Sequence, residues 1–156
     1  MKKNISLNVN GEARDLCIPP YETLLETLRT EMFLTGSKQG CDTGGCGCCT
    51  VLIDGESRYS CMTYTVTVGE RNVTTIEGIS EGETLDKLQQ AFVDTGAVQC
   101  GYCTCGMIMS AKQLLSTNPN PTESEIRKGL SGNLCRCTGY HKIVEAVKVA
   151  AQSEVK

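Results

Sequence analysis

The first half of the chain carries the short-period hydrophobic pattern of β-strands. Apolar and polar side chains alternate on both sides of Asn10-Gly11, a dipeptide typical of a hairpin turn. Apolar residues at helical spacing then predict one helix over 21–31. A Gly- and Cys-rich stretch over 36–49 has no periodicity and is expected to be a loop. Short apolar runs at 50–53 and 73–76 predict two further strands, the first followed by an Asp54-Gly55 turn.

The second half changes to the period of helices. Apolar residues within 85–92, 107–115, 126–130 and 140–147 predict four helices. Thr122 and Glu125 form a capping box that opens the third helix, and Gly132 is expected to end it. The change of period falls at a polar, glycine-containing stretch near 78–83. The pattern therefore predicts an α+β chain with a β-rich domain over 1–78 and a four-helix domain over 79–156.

Charge and hydropathy exclude several classes of protein. The net charge of −3 over 156 residues, 21% of them charged, offers no electrostatic basis for nucleic-acid binding. No run approaches the roughly 18 apolar residues of a membrane span. Residues 1–9 alternate after two lysines and lack the apolar block of a secretory signal. We therefore expect a soluble protein of the cytoplasm.

Cysteine is the residue type that indicates a function. Its odd count, eleven, and its crowding into three clusters fit poorly with a secreted disulfide framework. Thiols kept reduced are expected to serve as metal ligands. The outlying Cys17 lies on a predicted strand and is interpreted as a small core residue.

Four cysteines in the first half have the spacing C-x4-C-x2-C-x11-C. They are Cys41, Cys46, Cys49 and Cys61. The opening C-x4-C-x2-C with a later cysteine is the pattern of plant-type [2Fe–2S] ferredoxins, and a Gly-rich loop can aim backbone N–H groups at an anionic cluster. The alternative is a zinc site, but zinc centres usually pair two short hairpins, whereas three of these ligands share one loop.

Four more cysteines in the second half form two close pairs. Cys100 and Cys103 make C-x2-C, and Cys135 and Cys137 make C-x-C, with 31 residues between the pairs. Each pair precedes a predicted helix, whose N-terminus offers unpaired N–H groups and the positive end of the helix dipole to an anionic cluster. A redox-active dithiol is the alternative for the first pair, but it leaves the second pair without a role.

Three motifs give the chain a resemblance to a known family. They are GCDTGGCGCCTV at 40–51, QCGYCTCGM at 99–107 and GNLCRCTGY at 132–140. With these motifs in this order over nearly its whole length, the chain resembles the small iron–sulfur subunits of molybdenum hydroxylases. That superfamily includes xanthine dehydrogenase, aldehyde oxidoreductase, carbon monoxide dehydrogenase and 4-hydroxybenzoyl-CoA reductase.

The resemblance implies a fold, two cofactors and a set of partners. The N-terminal domain would be a β-grasp plant-type ferredoxin, and the C-terminal domain a four-helix bundle that holds a second [2Fe–2S] cluster. A large partner subunit would carry a molybdenum-pterin cofactor, with Gln99 and Cys137 at the pterin contact, and a further subunit would carry FAD. The assembly would be a dimer of heterotrimers. The chain would then relay electrons between the two partners and would contain no catalytic residue of its own.

Two cysteines depart from the family pattern. Cys48 stands where alanine is usual and Cys105 where proline is usual. Each is interpreted as a small buried thiol, and an alternative ligand at either position is the competing hypothesis. Two other functions also remain open: a free ferredoxin-like carrier and a structural zinc protein that uses both cysteine sets.

Overall fold

One mixed β-sheet organises the N-terminal half. The computed structural model describes residues 1–152. Five strands stand in the order β2-β1-β5-β3-β4, and β1 with β5 is the parallel pair among them. Their bounds are Lys3–Val9 for β1, Glu12–Ile18 for β2, Thr50–Ile53 for β3, Glu56–Tyr59 for β4 and Asn72–Thr74 for β5.

Both predicted hairpin turns are confirmed. Asn10 and Gly11 have φ of 54° and 82°, and Asp54 and Gly55 have φ of 52° and 83°. Consecutive left-handed residues of this kind make the type I′ turn, whose twist matches that of the strands it joins. The turns set the antiparallel registers of β1 with β2 and of β3 with β4.

Helix α1, Leu24–Thr30, packs against the sheet, and the two enclose a hydrophobic core. This helix begins later than the predicted residue 21, because Thr23 is its N-cap and forms a reciprocal capping box with Glu26. Strand alternation points Ile18 inward and Cys17 outward, so Cys17 is exposed. The interpretation of Cys17 as a core residue was therefore wrong. The first core consists of Leu7, Val9, Leu24, Leu28, Val51, Ile53, Val68 and Val73.

The C-terminal half contains the four predicted helices. They are α2, Lys87–Asp94; α3, Thr104–Thr117; α4, Glu123–Gly129; and α5, His141–Gln152. The predicted capping box of α4 is confirmed at Thr122, but the helix ends at Gly129 instead of Gly132. After Leu130 the chain turns back on itself, with the Asn133 N–H bonded to the Leu130 carbonyl.

The two halves pack directly on each other. Helix α3 lies against β3 and β4, and Cys46 and Cys48 from the first half belong to the helical core. Gly106 brings the α3 backbone so close that an added Cβ would lie 2.1 Å from the Gly47 carbonyl oxygen. The chain crosses between the halves through a 3-10 turn over Ile76–Ile79. The predicted boundary at 78/79 stays a prediction, and residues 153–156 of the second predicted domain lie outside the described residues. Within residues 1–152 no helix is long and apolar enough to cross a membrane.

Candidate iron–sulfur sites

The first site is built by one loop and one turn. Cys41, Cys46 and Cys49 come from the loop between α1 and β3, and Cys61 comes from a 3-10 turn over Ser60–Met62 that follows β4. The Sγ atoms of Cys49 and Cys61 are 3.3 Å apart. The thiol of Cys41 in turn contacts the thiol of Cys46. The four cysteines that the spacing selected are thus brought together as two pairs.

Gly40 lies where the loop folds over these thiols. A Cβ added to Gly40 would lie 3.0 Å from the Sγ atoms of both Cys46 and Cys48. Contacts of this length are tighter than nine in ten real Cβ contacts, so a larger residue would push the two thiols back by a few tenths of an ångström. The absence of a side chain at position 40 keeps the space beside the sulfur atoms free.

The first site favours a thiolate at Cys41 and a neutral thiol at Cys61. Backbone N–H of Thr43, with help from the Cys46 thiol, lowers the pKa of Cys41 to about 6. Burial raises the pKa of Cys61 to about 12. A bound metal ion offsets such a penalty, because it supplies the positive charge that a buried thiolate lacks.

The second site joins the start of α3 to the turn before α5. Cys100 and Cys137 have their Sγ atoms 3.5 Å apart. Cys103, the N-cap residue of α3, has its thiol against that of Cys135. The helix-terminus prediction is confirmed for Cys103. Cys135 and Cys137 instead lie in a turn of their own, ahead of the first residue of α5 at His141.

Two neighbours hold Cys135 in place. The Thr138 hydroxyl lies 3.0 Å from the Cys135 Sγ, and the Thr138 N–H also points at that sulfur. The Cys135 N–H donates to the phenolic oxygen of Tyr140 at 2.9 Å. Burial works against ionisation of Cys135, but the Thr138 hydrogen bonds, together with those from the Cys103 thiol and the Cys137 N–H, outweigh it and lower its pKa. Burial raises the pKa of Cys103 to about 12.

The pairing of the thiols fits a two-iron cluster. Within residues 1–152 no three cysteine, histidine or acidic side chains surround one point closely enough for a single metal ion. A [2Fe–2S] cluster needs two pairs of thiolates, since each of its two irons takes two protein ligands. A tetrahedral metal with metal–sulfur bonds of about 2.3 Å holds two sulfurs roughly 3.8 Å apart, near the separations found in both sites. All donors are sulfur, so the residues present fit two such clusters.

Two further thiols lie near these pairs but do not belong to the cysteine sets that the spacing selected. Cys48 is 5% exposed, and its Sγ is 4.0 Å from the Cys46 carbonyl oxygen. Burial raises its pKa to about 12, and its thiol contacts that of Cys46. Cys105 is half-buried in the first turn of α3, and burial raises its pKa as well. The preference for inert thiols over substitute ligands therefore remains a prediction at both positions.

The residues that connect the two sites were missed by the sequence reasoning. The Leu134 N–H donates to the carbonyl of Cys46 at 2.8 Å. Beside it, Asn133 donates from Nδ2 to the Gly47 carbonyl at 2.9 Å. The sequence signal was a polar Asn between Gly132 and Leu134, directly before the C-x-C pair, but no local pattern shows what such a residue would contact.

The second site opens to the surface and the first is more enclosed. Gln99, Cys100 and Cys137 are all exposed. Around them stand apolar side chains that solvent reaches, with Leu134 56% exposed and Tyr102 45% exposed. In the first site Cys46 and Cys49 are buried.

Comparison with known proteins agrees with this geometry. Residues 7–72 match the family model of the 2Fe-2S iron-sulfur cluster binding domain, and residues 75–148 match that of the [2Fe-2S] binding domain. The chain is 48% identical to the nicotinate dehydrogenase small FeS subunit of Eubacterium barkeri, over 97% of this chain and 96% of that protein. It is 49% identical to the nicotine 6-hydroxylase small subunit of Paenarthrobacter nicotinovorans, over 92% of this chain and 86% of that protein.

Solved structures show the same fold. The structure superposes on quinoline 2-oxidoreductase from Pseudomonas putida 86 with a TM-score of 0.94 and 43% identity, covering 97% of this chain and 95% of the other. It also superposes on the aldehyde oxidoreductase of Desulfovibrio desulfuricans with a TM-score of 0.94 and 42% identity, covering 97% of this chain but 17% of that larger one. Together with the two cysteine sets, these likenesses establish that the chain belongs to the two-domain [2Fe–2S] subunits of molybdenum hydroxylases, the electron-transfer components of these oxidoreductases.

Proposed function

We propose that each thiol pair of the structure is the ligand pair of one iron. Cys41 with Cys46 and Cys49 with Cys61 would hold the first cluster; Cys100 with Cys137 and Cys103 with Cys135 would hold the second. The contacts within each pair support this assignment. The Cys46 thiol also contacts that of Cys48, and there the C-x4-C-x2-C spacing selects Cys41 as the partner. The bound clusters supply one-electron carriers, and the protein supplies the thiolates, the backbone donors and the spacing between them.

One hydrogen bond carries the proposal that the two clusters act in series. Cys46 belongs to the first ligand set, and its carbonyl accepts from the N–H of Leu134. Leu134 is bonded covalently to Cys135 of the second set. A ligand of one cluster is thereby connected to a ligand of the other through a short stretch of backbone and one hydrogen bond at 2.8 Å. An electron can cross between the sites without leaving the protein.

The difference in exposure between the two sites indicates which partner subunit each would face. The open second site, with Gln99 and Cys137 at its edge, would face the molybdenum-pterin subunit, since a surface with exposed Leu134 and Tyr102 suits burial by a partner. The first site would exchange electrons with an FAD subunit. This chain, the molybdenum-pterin subunit and the FAD subunit would form a heterotrimer, and two heterotrimers would form the assembly, in the cytoplasm.

The experiment is anaerobic purification of the chain with its partners, followed by quantification of iron, sulfide, molybdenum and flavin. About four irons and four sulfides per chain are expected, since each [2Fe–2S] cluster contributes two of each. Cys61→Ser and Cys135→Ser should each remove the EPR signal of a different cluster. Cys17→Ser is the matched control, because that thiol is exposed and belongs to neither set. Zinc in place of iron, with no sulfide, would contradict the assignment.

A further inference from the structure

Asn133 is a buried polar residue between the two cysteine sets. Its side chain is 3% exposed. Its Nδ2 donates to the Gly47 carbonyl at 2.9 Å and to the Thr50 Oγ1 at 3.3 Å, and its Oδ1 accepts from the Ser110 hydroxyl at 2.7 Å. Both hydrogens of the amide and one acceptor position of its oxygen are therefore used inside the protein.

These bonds join three separate parts of the chain. Gly47 lies on the first cysteine loop, Thr50 begins β3 and Ser110 lies on α3. Asn133 itself immediately precedes Leu134, whose N–H binds the Cys46 carbonyl. The amide therefore holds residues 46–47 against residues 133–134, the place where the backbone of one site meets the backbone of the other.

The surroundings leave this contact little freedom to slide. A Cβ on Gly47 would lie 2.4 Å from the Gly132 carbonyl oxygen and 2.6 Å from the Asn133 Nδ2. The Tyr59 hydroxyl donates to that same Gly132 carbonyl at 2.8 Å. The two backbone segments approach closely at this point, and they hold this arrangement while the polar groups between them are hydrogen-bonded. Loss of such a bond would leave a buried amide or carbonyl without a partner, which destabilises the folded protein.

We propose that Asn133 is a positioning residue that sets the separation of the two clusters and thereby their electronic and magnetic coupling. This role rests on the proposed two-cluster relay and adds to it a residue that binds no iron. Asn133 acts through Gly47 and Leu134, neighbours of the ligands Cys46 and Cys135. Its removal loosens the spacing between the sites while it leaves all eight thiols present.

The test compares Asn133→Ala and Ser110→Ala with the wild type and with Asn120→Ala, an exposed asparagine in the loop before α4. Iron and sulfide content is measured first, and then the EPR spectra of the fully reduced protein at low temperature. The wild type and Asn120→Ala should show magnetic interaction between two reduced clusters. Asn133→Ala should keep both clusters but lose or weaken that interaction, and Ser110→Ala, which removes only the donor to Oδ1, should show a smaller change in the same direction.

The outcomes separate this proposal from the relay on which it rests. A wild-type chain without two clusters refutes the relay itself. An Asn133→Ala protein with a full complement of iron and an unchanged interaction overturns the positioning role and leaves the relay intact. Loss of iron from both Asn133→Ala and Ser110→Ala also overturns it, because the residue would then serve cluster assembly instead of spacing. If Asn133→Ala does not fold, Ser110→Ala alone decides the result.

Discussion

Replacement of Gly106 by alanine inserts one methyl group where the two halves of the protein meet. Gly106 is a buried residue in the first turn of α3. The new Cβ would lie 2.1 Å from the Gly47 carbonyl oxygen and 3.1 Å from both the Asn133 Nδ2 and the Cys48 Cα. Two of these neighbours are backbone atoms, so a change of side-chain rotamer cannot relieve the clash.

Two opposing free energies decide the size of the effect. Alanine is favoured over glycine inside a helix by about 1 kcal/mol. An ordinary contact requires the oxygen to recede by about 1.3 Å, which shifts the cysteine loop away from α3. Overpacking of a tight interior costs typically 1–3 kcal/mol, and a weakened Asn133 hydrogen bond adds roughly 0.5–1.5 kcal/mol. We expect a net destabilisation of about 1–3 kcal/mol.

Thermal unfolding of the iron-loaded protein measures this change. A domain of this size loses roughly 2–4 °C of Tm per kcal/mol, so Gly106→Ala should unfold about 2–12 °C below the wild type. Because cluster loss makes unfolding irreversible, all variants are compared at one scan rate. The low-temperature EPR interaction between the clusters should change as well, since the clash acts on the contact that spaces them.

Gly129→Ala is the matched control. A Cβ at Gly129, the last residue of α4, would meet the Leu114 Cδ2 at 3.0 Å, and that atom is the end of a flexible side chain. Its Tm should stay close to that of the wild type. If Gly106→Ala is as stable as the control, the two halves do not depend on this backbone contact, and the reasoning about the interface is wrong.

Three further predictions concern other parts of the molecule. Phe92→Ala removes a large side chain, 1% exposed, from the helical core. It should lower the free energy of unfolding, measured in urea, by about 3–5 kcal/mol and leave the EPR spectrum of the N-terminal cluster unchanged. Tyr140→Phe removes the acceptor of the Cys135 N–H, which should shift the EPR signal of the second cluster alone and lower stability by roughly 0.5–1.5 kcal/mol. The Lys148 ammonium, with a neighbouring arginine, lowers the pKa of Glu123 from 4.5 to about 2. The stabilisation from this depressed pKa is full above pH 4.5 and declines as the pH falls toward 2. Glu123→Gln should therefore lower Tm at pH 7 in low salt, and the difference from the wild type should shrink as the pH is lowered through 4.5.

Local patterns predicted the elements well because the forces behind them are local. Asn10-Gly11 and Asp54-Gly55 adopt left-handed backbone wherever they occur in tight hairpins, and the structure has both turns. The capping box at Thr122 likewise involves residues three positions apart. The end of α4 was misplaced at Gly132, because the chain there turns to meet the first cysteine loop, a contact that no short window contains.

The two sets of cysteines, the fold class and the family could all be predicted from the sequence. Ligands that share one loop or one turn leave a fixed spacing in the chain, and hydrophobic period follows from the geometry of each helix and strand. The pairing of the thiols, the exposure of each site and the contacts that join the sites became visible in the folded chain alone. Cys61 reaches Cys49 from another turn, and Asn133 reaches Gly47 across a separation of 86 residues. Such contacts depend on how the two halves pack, and packing is a property of the whole chain.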